Sequence, residues 1–81
     1  MTDERQLLAV MGKRIRILRL TRELTQQQVA DAAGISRNFI SLLERGSHSV
    51  DVVRLLRLAA ALDVPLAELF SQEARPTNGS G

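Results

Sequence analysis

The chain has 81 residues, 44% of them hydrophobic, and a formal net charge of +2. That length admits one small domain, near the lower size at which a core holds a fold without staples. With no cysteine and a single histidine, a disulfide framework, a thiolate metal site and a multi-histidine zinc site are all excluded.

Almost every segment reads as helix, because aromatics are scarce, β-branched runs are short, and Ala and Leu recur at three- and four-residue spacing. The expected fold class is all-α. The first helix is expected from Asp3 to about Thr21, with Leu8, Met11, Ile15 and Leu18 on one stripe. Gly12 inside it costs roughly 1 kcal/mol relative to Ala, which asks for close packing at that point. Lys13, Arg14, Arg16, Arg19 and Arg22 put five cations into ten residues. Positive charge gathered along one helix suits a polyanion, through phosphate contacts and counterion release, while the charge run taken alone also fits a solvated face.

Thr25 is placed to cap a second helix, with Gln28 three residues on completing a capping box; Val29, Ala30 and Ala33 form its inner face. Gly34 suits a left-handed position where a side chain would clash, and Ile35 can drop into the core as the chain turns. Ser36 caps a third helix that runs to about Glu44, buries Ile40 and Leu43, and stops at Gly46. After the loop SHSV, Asp51 caps a fourth helix with Val52, Leu55, Leu56, Ala59 and Leu62 on one face. Pro65 opens a short fifth helix through about Ser71, with Leu66, Leu69 and Phe70 apolar. Residues 72–81 have turn-forming, flexible composition and are expected to be a disordered tail behind a domain of residues 1–71.

Two helices joined by three or four residues containing Gly are the mark of a helix-turn-helix, here at about 25–45, in which the second helix enters the DNA major groove. The exposed chemistry agrees. Ser36, Arg37 and Asn38 open the third helix, and Ser41 and Leu42 share its outer side. Arg pairs with O6 and N7 of guanine, Asn with N6 and N7 of adenine, and an exposed Leu touches a thymine methyl. A cap and a polar first turn would account for Ser36. They account less well for Arg37, because a cation is unfavourable near a helix N-terminus.

In its ordered motifs "MGKRIRILR", "LTQQQVADAAGIS", "ISLLERG" and "LLRLAAALDVPLAELF", the chain resembles the Cro/C1-type (lambdoid repressor-like, XRE) helix-turn-helix family over roughly Gly12 to Phe70. The resemblance implies a compact five-helix lambda-repressor-like domain that binds double-stranded DNA. It implies base reading by Ser36, Arg37, Asn38 and Leu42, and phosphate contact by Gln26 at the start of the second helix and by Arg45, Ser47, His48 and Ser49 in the following loop. Gln27 beside Gln26, and Arg14 from the basic stripe, join the expected phosphate contacts. The family pairs an Arg near the end of the first helix with the Glu closing the third, which resembles Arg19 with Glu44. Leu42 stands where many relatives carry a polar or basic residue, and His48 where a Lys or Arg is common. "SRNFISLLERG" is also similar to the free-standing controller proteins of restriction-modification systems.

One helix-turn-helix touches about half a turn of duplex, so specific binding asks for a two-fold dimer on a palindromic site. Leu58, Leu66, Leu69 and Phe70 are the expected dimer interface, unless they close the monomer's own core. The function expected is a sequence-specific, homodimeric transcriptional regulator in the cytoplasm, associated with the bacterial nucleoid. The alternative is an antitoxin or protein-interaction module on the same scaffold. No cofactor or small-molecule effector is implied. No membrane partner is expected either, since apolar runs are broken well before the ~18 residues a span needs. An enzyme is not expected: there is no cysteine nucleophile, His/carboxylate pairing at motif spacing, or Gly-rich phosphate loop.

Overall fold

The computed structural model describes residues 3–71. Four α-helices, α1 (Glu4–Thr21), α2 (Gln26–Ala33), α3 (Arg37–Glu44) and α4 (Val52–Ala61), are followed by a 3-10 turn at Leu66–Phe70. Among the described residues there is no strand. The tail expected at 72–81 lies outside them.

The starts of all four helices follow from their caps. Asp3 accepts the Arg5 N–H at 2.8 Å, and Thr25 accepts the Gln28 N–H at 3.0 Å while Gln28 Oε1 accepts the Thr25 N–H at 2.8 Å. Ser36 Oγ accepts from Phe39, and Asp51 from Arg54. Each of these satisfies a backbone donor that a helix start leaves unpaired. Gly34 ends α2 at φ +70°, which lets the Ile35 N–H reach back to the Ala30 carbonyl at 2.9 Å. That left-handed step turns the chain sharply enough to start α3 three residues later, at Arg37.

The core draws on every element: Met11, Ile15 and Leu18 of α1, Val29, Ala30 and Ala33 of α2, Ile40 and Leu43 of α3, and Leu55, Leu58 and Ala59 of α4, joined by Leu62 and Leu69. Backbone meets backbone at one crossing. A Cβ on Gly12 would collide with the Leu43 carbonyl oxygen and lie 3.0 Å from that of Glu44. The close packing that Gly12 asked for is therefore the seat of the C-terminal end of α3 on α1.

Three expectations are corrected. The fifth helix is a five-residue 3-10 turn whose tighter winding stacks residues three apart. It sends Leu69 into the core with Leu66 beside it, and leaves Phe70 40% exposed. The buried face of α4 runs through Leu55, Leu58, Ala59 and Leu62, while Val52 and Leu56 are 66% and 50% exposed. Because α4 is apolar almost all round, its sequence leaves the phase of burial open. Leu58 and Leu69 have no exposed surface at all. They close the monomer's own core and cannot form a dimer contact.

Candidate nucleic-acid interface

The turn after Gly34 carries the N-terminal end of α3 to the surface. Ser36, Arg37 and Asn38 are exposed there, Ser41 and Leu42 are half-buried one turn on, and Ile40 and Leu43 face the core. The Ser36 hydroxyl oxygen is committed to its cap at 3.1 Å. Arg37 and Asn38 have no side-chain hydrogen bond or ion pair among the described residues, so the fork of one and the amide of the other are available to an outside partner. Ser41 Oγ accepts from Arg45 Nη2 at 3.3 Å, which draws the first loop cation back along α3.

The start of α2 opens beside the start of α3. Gln26, Gln27 and Arg37 line one open hollow of about 500 Å³, together with Thr25 and Arg19. Gln27 Nε2 is tied to Asp31 at 2.8 Å, and Gln26 Nε2 to Glu44 at 3.1 Å. Beneath them lies the ion pair of Arg19 and Glu44. Arg19 Nε and Nη2 donate to the two carboxylate oxygens at 2.6 and 3.0 Å, and Nη1 donates to the Leu24 carbonyl at 2.9 Å. Hydrogen bonding to Glu44 raises the Arg19 pKa above its ordinary value; burial opposes this and the Glu44 charge adds to it. This bidentate pair ties the ends of α1 and α3 together and fixes the angle at which α3 is presented.

The loop between α3 and α4 forms the other flank. Ser47, His48 and Ser49 are exposed. The His48 ring meets Phe39 edge to face, with centroids 6.1 Å apart. The Arg54 guanidinium lies 5.4 Å from the centre of the same Phe39 ring and reaches Asp51 at 3.1 Å. This cluster escaped sequence reasoning, since Phe39 reads as one more apolar helix position and Arg54 as a solvated one.

Arg14 is engaged within the fold, on Glu68. Its Nη2 donates to Glu68 Oε1 at 2.6 Å and its Nε to the Glu68 carbonyl at 3.0 Å. The guanidinium expected on a phosphate instead fastens the 3-10 turn to α1. Arg22 is likewise turned to the Asp63 carbonyl at 3.2 Å. Of the basic stripe, Lys13 and Arg16 remain exposed, with no hydrogen bond or ion pair from their side chains among the described residues. No group of three potential metal ligands occurs among the described residues, and no helix among them is long and apolar enough to cross a membrane.

Comparison with known proteins agrees with this fold. The family model described as helix-turn-helix matches residues 15–69. The chain is 36% identical over 62 residues to the cryptic phage CTXphi transcriptional repressor RstR of Vibrio cholerae, covering 76% of this chain and 56% of that one. It is 35% identical over 65 residues to the transcriptional regulator SlrR of Bacillus subtilis, covering 79% of this chain and 43% of that one. It thus spans about half the length of these relatives. Among solved structures, the restriction-modification controller protein C.AhdI of Aeromonas hydrophila superposes with a TM-score of 0.76 at 40% identity, over 78% of this chain and 96% of that one.

Proposed function

As this chain belongs to the helix-turn-helix family that its residues 15–69 match, we propose that it is a sequence-specific regulator of transcription that binds double-stranded DNA as a homodimer on a palindromic operator. The observation that carries the reading is the pair of unengaged side chains, Arg37 and Asn38, at the exposed opening of α3. Both are chemically suited to base edges, and Arg37 shares a hollow with Gln26 and Gln27. In this reading Ser36, Arg37, Asn38, Ser41 and Leu42 face the major groove. Gln26, Gln27, Arg45, Ser47, His48 and Ser49 follow the phosphates on either side, and residues 1–71 act as one DNA-binding domain in the cytoplasm. The similarity to a controller protein, at 40% identity and a TM-score of 0.76, favours a regulator of that kind.

Dimerisation is assigned to a surface that the buried Leu58 and Leu69 do not supply. Val52, Val53 and Leu56 of α4 are 66%, 56% and 50% exposed, with Phe70 exposed and Leu66 half-buried on the 3-10 turn. An apolar helix face of this kind asks for a cover, and the two-fold symmetry of a palindrome supplies a second copy.

The test is selection of bound duplexes from a random pool, with wild type beside Arg37→Ala, at two salt concentrations. A palindromic consensus with half-sites about one helical turn apart, a steep salt slope, and loss of preference at one base pair in the variant is the expected result. The same apolar α4 face also suits a different protein partner, as in an antitoxin. A pool with no enriched sequence selects that second reading and removes the first.

A further inference from the structure

The first residue of α2 is held from below. Gln26 Nε2 donates to Glu44 Oε1 at 3.1 Å, and the same carboxylate takes the Arg19 fork at 2.6 and 3.0 Å. The Glu44 side chain keeps only 3% of its surface exposed, whereas Gln26 is half-buried and lines the hollow with Arg37. A carboxylate paired with a guanidinium has no proton to give, so the amide facing it must turn an N–H inward. That choice fixes which end of the Gln26 carboxamide is anchored. It leaves the second N–H of the same nitrogen as a donor for an outside oxygen.

Resting on the reading of Gln26 as a phosphate contact, we propose that Glu44 is a positioning residue for DNA binding, acting through Gln26 by holding its amide in the orientation a phosphate oxygen requires. Two conditions for such a role are met. Arg19 compensates the carboxylate, so an approaching phosphate does not face a bare negative charge behind the glutamine. Arg19 is itself fixed through Nη1 on the Leu24 carbonyl at 2.9 Å, so the chain from loop to guanidinium to carboxylate to amide has no loose member. A glutamine already held this way gives up little rotamer freedom when it docks. A free one gives up enough to weaken binding about three- to tenfold.

The experiment is a double-mutant cycle on binding to a mixed-sequence duplex of about 20 base pairs, long enough for two half-sites, at low salt. Gln26→Ala, Glu44→Gln and the double variant are compared, with each folded fraction fixed by its urea curve. Glu44→Gln leaves one oxygen, which Arg19 takes, and turns an amide N–H₂ toward Gln26. The expected result is a loss of about three- to tenfold from Glu44→Gln in the wild-type background and no loss in the Gln26→Ala background. Equal losses in both backgrounds overturn the proposal, because a residue that only supports the fold is indifferent to position 26. Should Glu44→Gln fail to fold, the Gln26 side-chain amide resonances of the wild-type protein decide. A restrained amide with one proton shifted by hydrogen bonding supports the clamp, and the signature of a freely rotating glutamine overturns it. If Gln26→Ala leaves binding unchanged, the clamp falls while the regulator reading stands; if wild type binds no duplex, both fall.

Discussion

Arg14 and Glu68, 54 positions apart in the chain, are closed on each other by two hydrogen bonds, one to the carboxylate and one to the backbone carbonyl. The bond to the main chain means that the cation holds the 3-10 turn itself in place, and with it Leu69. Arg14→Ala is expected to lower stability by about 1.5–2 kcal/mol, the lower part of the range for hydrogen bonds to charged groups, because Glu68 stays 42% exposed and hydrated. Urea unfolding measures the loss. DNA affinity, corrected for the unfolded fraction, should stay at the wild-type value, and a selective loss of binding in a fully folded variant would restore Arg14 to the interface.

Gly12→Ala sets two effects against each other. Helix propensity favours Ala by roughly 1 kcal/mol, but the new methyl meets the carbonyl oxygen of Leu43. A rigid backbone cannot step aside as a side chain can, so overpacking wins and a net loss of about 1–3 kcal/mol is expected. Thermal or urea midpoints that rise on this substitution would contradict the close crossing of α1 and α3.

Two leucines of α4 should behave oppositely. Leu58 has no exposed surface and Leu56 is half exposed. Leu58→Ala is expected to cost about 2–5 kcal/mol of stability. Leu56→Asp should leave monomer stability within about 0.5 kcal/mol, as surface changes usually do, while shifting sedimentation toward the monomer and weakening operator binding. A Leu56→Asp protein that remains dimeric would move the interface elsewhere.

The start of α4 carries a pH dependence. Desolvation pushes the Asp51 carboxyl up, but hydrogen bonds from the Arg54 and Asp51 backbone N–H groups, with the Arg54 charge, together hold it below its ordinary value. A carboxyl whose folded pKa is depressed favours the folded state above the unfolded value of about 3.9, and the favour fades as pH falls through the folded value. The stability gap between wild type and Asp51→Asn should therefore shrink as acid is added below about pH 4. A gap that widens on acidification would reverse the sign.

Discrimination by α3 should be separable from affinity. Arg37→Ala is expected to cost about 1–3 kcal/mol at one base pair and to flatten preference there. Ser47→Ala, in the loop, should weaken all sequences alike. Competition binding against single-base variants of the selected site distinguishes the two patterns.

Much of this architecture is written locally. Thr25 with Gln28, Gly34 and Ser36 each satisfy a donor or a backbone angle within a few residues, so α2, its turn and α3 can be read from the sequence. Arg19 with Glu44 was legible through family resemblance, and its geometry followed. What could not be read depends on three-dimensional choice. The apolar circumference of α4 offered two possible buried faces, and only contact with α2 and the 3-10 turn selects one. Arg14 sits among five similar cations, and nothing nearby in sequence marks it as the one that meets Glu68. Arg37 and Asn38 were legible as chemistry, because polar side chains beyond those needed for the Ser36 cap stand out at the start of a short helix.

The crossing at Gly12 separates two jobs that a recognition helix usually mixes. Because α3 is seated on α1 through main-chain atoms of Leu43 and Glu44, its attachment is blind to the side chains at 37, 38, 41 and 42. Under the proposed reading those four positions form an exchangeable cassette, in which altered target preference can be reached without first rebuilding the scaffold that carries it.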